Sequence, residues 1–114
     1  MAKPRVLVTR RWPEEVERQL ADRFDVTLNE SDTPLGRDVL AAAMGEYDVV
    51  CPILSDRLDA EVLAAGGRVR LIANYGVGFE HIDIAAAKAR RSAVTNTPGA
   101  LTDATAELAL ALIL

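Results

Sequence analysis

Five short apolar runs punctuate this chain, separated by stretches whose apolar residues recur at helical spacing. Arg5-Val6-Leu7-Val8-Thr9 is continuous and apolar at its centre, the pattern of a strand covered on both faces. Trp12-Pro13-Glu14-Glu15 then reads as a helix start, with proline at the first position and acids in the first turn. Val16, Leu20 and Phe24 follow at four-residue spacing and give that helix one apolar stripe. Residues 25–29 form a weak second strand, and the polar, breaker-rich residues 29–36 form a loop. A second helix carries Val39, Leu40, Ala43 and Met44 and stops at Gly45. Tyr47-Asp48-Val49-Val50-Cys51 is the third strand, ended by Pro52. Asp59 begins a short helix that closes at Gly66-Gly67, residues 69–74 are the fourth strand, and Asp83 caps a fourth helix. Residues 92–96 are the fifth strand, and Thr102-Asp103 opens a last helix.

This strict alternation of strand and helix predicts an α/β fold. The expected architecture is a five-stranded parallel sheet in flavodoxin-like order 2-1-3-4-5, with helices on both faces. Open parallel sheets bind ligands beyond the carboxyl ends of their strands, near the point where the strand order reverses. The segments expected there are Thr9-Arg10-Arg11, Ile53-Leu54-Ser55-Asp56, Tyr75-Gly76-Val77-Gly78 and Thr97-Pro98-Gly99.

Among these, Asn74-Tyr75-Gly76-Val77-Gly78-Phe79-Glu80-His81-Ile82-Asp83 is the most informative. Two glycines one residue apart at a strand end allow a sharp turn and a close backbone approach to a ligand. Amide N–H groups freed in such a turn can form a small concavity for an anion, here read as a carboxylate. The competing explanation is a strand-to-helix turn that needs glycine for geometry alone.

Composition narrows the possibilities. The 114 residues suffice for one domain with its own core, half of them hydrophobic and only 4% aromatic. The net charge is −4 and the 13 basic residues are scattered, against the clustered positive charge of a nucleic-acid surface. The single cysteine, Cys51, sits in an apolar run and reads as a buried structural thiol in a reducing compartment. No segment reads as a signal peptide or a membrane span, so a cytoplasmic protein is expected.

Several chemistries lack their residues. Histidine stands where a third glycine would complete Gly-x-Gly-x-x-Gly after Gly76 and Gly78, so the dinucleotide fingerprint is missing. No carboxylate pair follows the first strand, and one histidine with one distant cysteine is no metal site. His81 beside Glu80 invites a general-base role, but neighbours in sequence do not face each other on a helix, and a structural role is expected. Past Glu107 the last helix is apolar nearly all round, which predicts burial against further chain or another subunit rather than a natural terminus folded back on the sheet.

The glycine segment, Val94-Thr95-Asn96-Thr97-Pro98-Gly99 and Leu101-Thr102-Asp103-Ala104-Thr105-Ala106-Glu107-Leu108-Ala109 together resemble the D-isomer-specific 2-hydroxyacid dehydrogenases. Val8-Thr9-Arg10-Arg11 and Leu54-Ser55-Asp56-Arg57 are similar to the glyoxylate/hydroxypyruvate reductase branch. The resemblance implies a flavodoxin-like substrate-binding domain over residues 1–101. Residues 102–114 would then start a helix leading to a Rossmann domain, with the family's catalytic Arg, Glu and His beyond Leu114. It also implies that Val77 and Gly78 hold the substrate carboxylate through backbone N–H groups, and that Leu54 and Ser55 line the substrate pocket. Val77 and Thr105 would face the cofactor, NAD or NADP. The substrate would be a small 2-oxo or 2-hydroxy acid, and a homodimer would form through the region that starts at residues 102–114. A different class of function stays open: a non-catalytic dimerisation or ligand-sensing module, or more weakly a flavodoxin-like carrier.

Overall fold

The computed structural model describes residues 3–74 and 80–95, and in it the apolar runs become five parallel strands. They are β1 (Arg5–Val8), β2 (Asp25–Thr27), β3 (Val49–Cys51), β4 (Leu71–Ala73) and β5 (Ala93–Thr95). Their order is β2-β1-β3-β4-β5, as the alternation of elements predicts. Between them run α1 (Glu14–Arg23), α2 (Arg37–Ala43), α3 (Ala60–Ala64) and α4 (Ile84–Ala89). The register pairs Val6 with Val49 and Leu7 with Val50, and on the far side of β3 Val50 with Ile72.

Side chains alternate across a strand, so this register sorts the apolar residues into two layers. Val6, Val8, Val49 and Cys51 pack on one face against the α1 stripe of Val16, Leu20 and Phe24, with Trp12. Leu7, Val50 and Ile72 face the other way, onto Leu40 and Met44 near α2, Val62 and Leu63 of α3, and Ala87 of α4. Among the described residues the sheet thus carries one helix on one face and three on the other. Each fully buried Leu or Val contributes about 1.5–3 kcal/mol of transfer free energy, so a sheet covered on both sides suffices as a core.

Several strands are shorter than the apolar runs suggest. The third run extends over residues 47–51, but Tyr47 and Asp48 lie outside the ladder proper. Asp48 instead extends the pairing by its own groups, its N–H donating to Arg5 O at 2.8 Å and its carboxylate accepting from Arg5 N at 2.8 Å. Pro13 is the residue before helix α1 rather than its first member, with an extended ψ of 136°. Asp59 and Asp83 cap α3 and α4 as expected, accepting from the N–H of Val62 at 3.0 Å and of Ala86 at 2.9 Å. The last helix expected from residue 102 lies outside the described residues.

One close approach depends on glycine. A Cβ on Gly66 would lie 2.3 Å from Gly45 N and 2.5 Å from Met44 C, so only a bare backbone lets this turn seat on the end of α2. The contact lets Arg68 and Val69 donate to Met44 O, satisfying a carbonyl the helix leaves open.

Candidate functional site

The parallel sheet brings together the chain segments that follow β1, β3 and β4, and buried polar groups tie them to one another. Thr9, wholly buried after β1, donates its hydroxyl to the carboxylate of Asp56, itself only 2% exposed in the segment after β3. The same carboxylate accepts from Ile53 N at 2.9 Å, which folds residues 53–56 into a tight Asx turn. Asn29 donates to Thr9 O at 2.8 Å and to Thr33 O at 2.6 Å, fixing the loop after β2 beside it.

Leu54 and Ser55 ride on the crest of that turn. Leu54 is 66% exposed, an unusual position for a large apolar side chain on a loop whose backbone is so firmly held. Arg10 donates to Ser55 Oγ at 3.3 Å and to Asp32 at 2.9 Å, and Arg11 N donates to the same Asp32 oxygen at 2.9 Å. These two donors, the Arg11 backbone first, hold the Asp32 carboxyl below the usual carboxylate range.

The segment after β3 is joined to the one after β4 by a short parallel bridge between Leu58 and Ile82. Leu58 N donates to His81 O at 2.8 Å and Asp83 N donates to Leu58 O at 2.9 Å. His81 in turn bonds Asn74 Oδ1 through Nε2 at 2.8 Å, and Asn74 N is held by Thr95 O of β5 at 3.1 Å. Burial pushes the His81 imidazole below its ordinary value, with Asp56 and Glu80 pulling the other way. The ring is therefore neutral near pH 7, and with Asn74 Oδ1 opposite, Nε2 carries its proton.

Between these two joined walls lies a hollow of about 430 Å³ lined by Leu54, Ser55, Arg57, Glu80 and His81. It is open, mixed in polarity, and has one guanidinium at its rim to offset Glu80. A second hollow of about 460 Å³ lies beside α2 and is lined mainly by apolar groups, among them Leu7, Leu28, Leu35, Val39 and Tyr47. Its charged lining residues are Asp38 and Glu46, which repel an organic acid. Of the two, only the smaller hollow has a guanidinium in its lining, that of Arg57.

The structure places Leu54 and Ser55 together at this hollow. Val77, Gly78 and Thr105 lie outside the described residues. Thr9, Asp56 and Asn74, whose buried bonds tie these segments together, fall within the segments the sequence places at the strand ends but carry no role read from sequence. A carboxylate three residues past the apolar Ile53 is a turn signal that points to Asp56. Nothing local marks Asn74 or Thr9. Cys51 is wholly buried and its thiol is pushed up to about 12 by desolvation, so it is inert as a nucleophile. Among the described residues no cluster of three metal-ligating side chains occurs, and no helix is long and apolar enough to cross a membrane.

Comparison with known proteins agrees with this geometry. Residues 6–111 match the family model of the D-isomer specific 2-hydroxyacid dehydrogenase, catalytic domain. The chain is 44% identical over 115 residues to a glyoxylate reductase of Thermofilum pendens and 43% identical over 112 residues to one of Pyrococcus horikoshii. These matches cover 100% and 98% of this chain, which spans 34% of each relative's length. A solved structure from Polaromonas sp. JS6 66, described as a D-isomer specific 2-hydroxyacid dehydrogenase, NAD-binding, superposes with a TM-score of 0.81 at 33% identity. That superposition covers 98% of this chain and 35% of the other. A match over nearly the whole sequence, joined to the 2-1-3-4-5 sheet, shows that the chain belongs to the D-isomer specific 2-hydroxyacid dehydrogenase family.

Proposed function

We propose that this chain supplies the substrate-binding part of a nicotinamide-dependent reductase that converts a small 2-oxo acid, such as glyoxylate or hydroxypyruvate, to its D-2-hydroxy acid. The observation that carries the reading is the exposed Leu54-Ser55 crest, held by Asp56 and facing His81 and Arg57 across a hollow of about 430 Å³. That is room for an acid of a few heavy atoms. An apolar wall at Leu54 and a hydroxyl at Ser55 suit its short carbon chain and its oxygen. In this reading the amides of Val77 and Gly78 hold the carboxylate, and the walls orient the carbonyl. Orientation of this kind removes much of the entropic barrier to reaction.

The described residues do not fit a dinucleotide. The turn from β1 into α1 reads Thr9-Arg10-Arg11-Trp12-Pro13, without a glycine to admit a pyrophosphate. The carboxylate of Glu17, 4% exposed, already accepts from Trp12 N at 3.0 Å and pairs with Arg11, so an anion stands where phosphate would bind. NAD or NADP is accordingly assigned to residues beyond those described, with Val77 and Thr105 as this chain's proposed contacts. Residues 1–101 are proposed as the substrate-binding domain, and 102–114 as the start of a helix toward a nucleotide-binding domain and a homodimer contact.

The test is to express the complete reading frame that contains this sequence and follow NADH and NADPH oxidation with glyoxylate, hydroxypyruvate and pyruvate. Turnover with at least one of these acids is expected, and Gly78→Val should raise KM with the fold intact. Absence of turnover with every acid and either cofactor would refute the reading and favour a non-catalytic module.

A further inference from the structure

The hollow of about 460 Å³ beside α2 shares no lining residue with the one at Leu54 and Ser55, and its chemistry is different. Buried Leu7 and Tyr47 line it from the sheet side, and Val39 of α2, 51% exposed, lines it toward solvent. Its neutral polar groups are already engaged. The Tyr47 hydroxyl donates to Thr27 Oγ1 at 3.2 Å, and the Asn29 amide donates to Thr9 O and Thr33 O. The carboxylates of Asp38 and Glu46 remain, and among the described residues neither has an ion pair or a hydrogen bond. No basic side chain lines the hollow. Arg5 donates to Glu46 O at 3.0 Å, but its guanidinium lies over the Tyr47 ring and beside Asp25 and makes no bond to the Glu46 carboxylate.

The two acids stand at opposite ends of the hollow's helical wall. Asp38 lies in the first turn of α2 and Glu46 just past its last residue, Ala43. At helical rise their positions in sequence are about 12 Å apart. Glu46 is at the negative end of the helix dipole, where a carboxylate is disfavoured, and no basic residue in the last turn offsets it. A cation bound there relieves the repulsion. The complement of such a hollow is an apolar chain with a positive charge at each end.

We propose that the α2 hollow is a second binding site, for a linear aliphatic diamine. Its methylene chain lies against Leu7, Val39 and Ala42, and its two ammonium groups pair with Asp38 and Glu46. Exposed ion pairs alone are weak, so the apolar wall supplies the larger share of the affinity and the two carboxylates select the charge. Binding here is independent of the proposed acid cleft and of turnover.

The experiment is isothermal titration calorimetry of the complete protein at low ionic strength, with α,ω-diaminooctane and with suberate, a dianion of similar length. One diamine is expected to bind per chain, and suberate is expected not to bind. Asp38→Asn and Glu46→Gln should each weaken the diamine about threefold and together about tenfold. Val39→Ser removes apolar wall without touching charge and should also weaken it about threefold. Asp22→Asn, an exposed acid on α1 across the sheet, should leave binding unchanged. All four positions are exposed, and melting temperatures establish that each variant is folded. Absence of saturable diamine binding, equal binding of suberate, indifference to the loss of either hollow carboxylate or of the Val39 wall, or an equal loss from Asp22→Asn would each overturn the proposal.

Discussion

The hydroxyl of Thr9 and the carboxylate of Asp56, both buried, bond to each other across the gap between the ends of β1 and β3. Asp56 also accepts from Ile53 N, so one side chain serves a part-buried amide and a buried hydroxyl that also reaches Cys51 O at 3.3 Å. Asp56→Ala leaves the Ile53 amide unpaired and the Thr9 hydroxyl with Cys51 O alone, and is expected to destabilise the protein by about 1–3 kcal/mol. Asp56→Asn keeps an acceptor oxygen and should cost less than half as much. Chemical denaturation of the two variants distinguishes these outcomes, and equal losses would show that the negative charge rather than the acceptor is what matters.

Acidification offers a test of His81. Its imidazole titrates below the ordinary 6.5, principally because it is desolvated, with Asp56 and Glu80 as the charged groups that oppose the shift. The unfolded chain takes up this proton first, so the histidine's contribution to stability is complete above about pH 6.5 and is lost as the pH falls below it. Melting temperatures at about pH 7.5 and about pH 5.5 should fall further in the parent than in His81→Gln. Asp59, held down to about 2 by its bonds from Arg37 and Val62, behaves in the same direction but lower. Its contribution disappears only as the pH drops from the ordinary 3.8 toward 2, outside the histidine window.

Gly66 and Gly45 predict opposite responses to the same change. Alanine at Gly66 drives a methyl into backbone at 2.3 Å and should cost about 2 kcal/mol or more, because backbone cannot yield as a side chain does. Alanine at Gly45 meets its nearest neighbour at 3.8 Å and should change stability by less than about 1 kcal/mol. Thermal melts of the two variants side by side check the contrast.

Arg91 follows α4 with φ at 60°, a left-handed conformation that an arginine Cβ disfavours and glycine accepts. The position is exposed, so Arg91→Gly should stabilise the protein by about 1 kcal/mol. A lower melting temperature for the glycine form would instead assign the side chain a role that outweighs the strain.

The fold was legible because its determinants are local and repeated. Val6-Leu7-Val8 and Val49-Val50-Cys51 read as covered strands from their continuity alone. Asp59 and Asp83 read as caps because the capping bond spans only three residues. Leu54 and Ser55 were expected at a site through their place after a strand and through family resemblance, not through chemistry of their own, and they line a hollow together. The partners of Thr9, Asp56 and Asn74 were hidden, since each bond joins segments distant in sequence or depends on a turn's detailed shape. Glu17 shows the same limit. It stands in the first turn of α1, where acids are commonly exposed, but Trp12 N and Arg11 hold it at 4% exposure.

The bridge between Leu58 and Ile82 makes a single body of two walls that the chain's connectivity would leave independent. Widening the cleft by parting them breaks backbone hydrogen bonds, so the cheapest accommodation of a bulkier molecule is a rotation of Leu54 about its own side-chain torsions. Selectivity is thereby separated from architecture. Under the proposed function, replacing leucine at that crest by a smaller or more polar residue would change which acids fit, while the sheet beneath registers nothing.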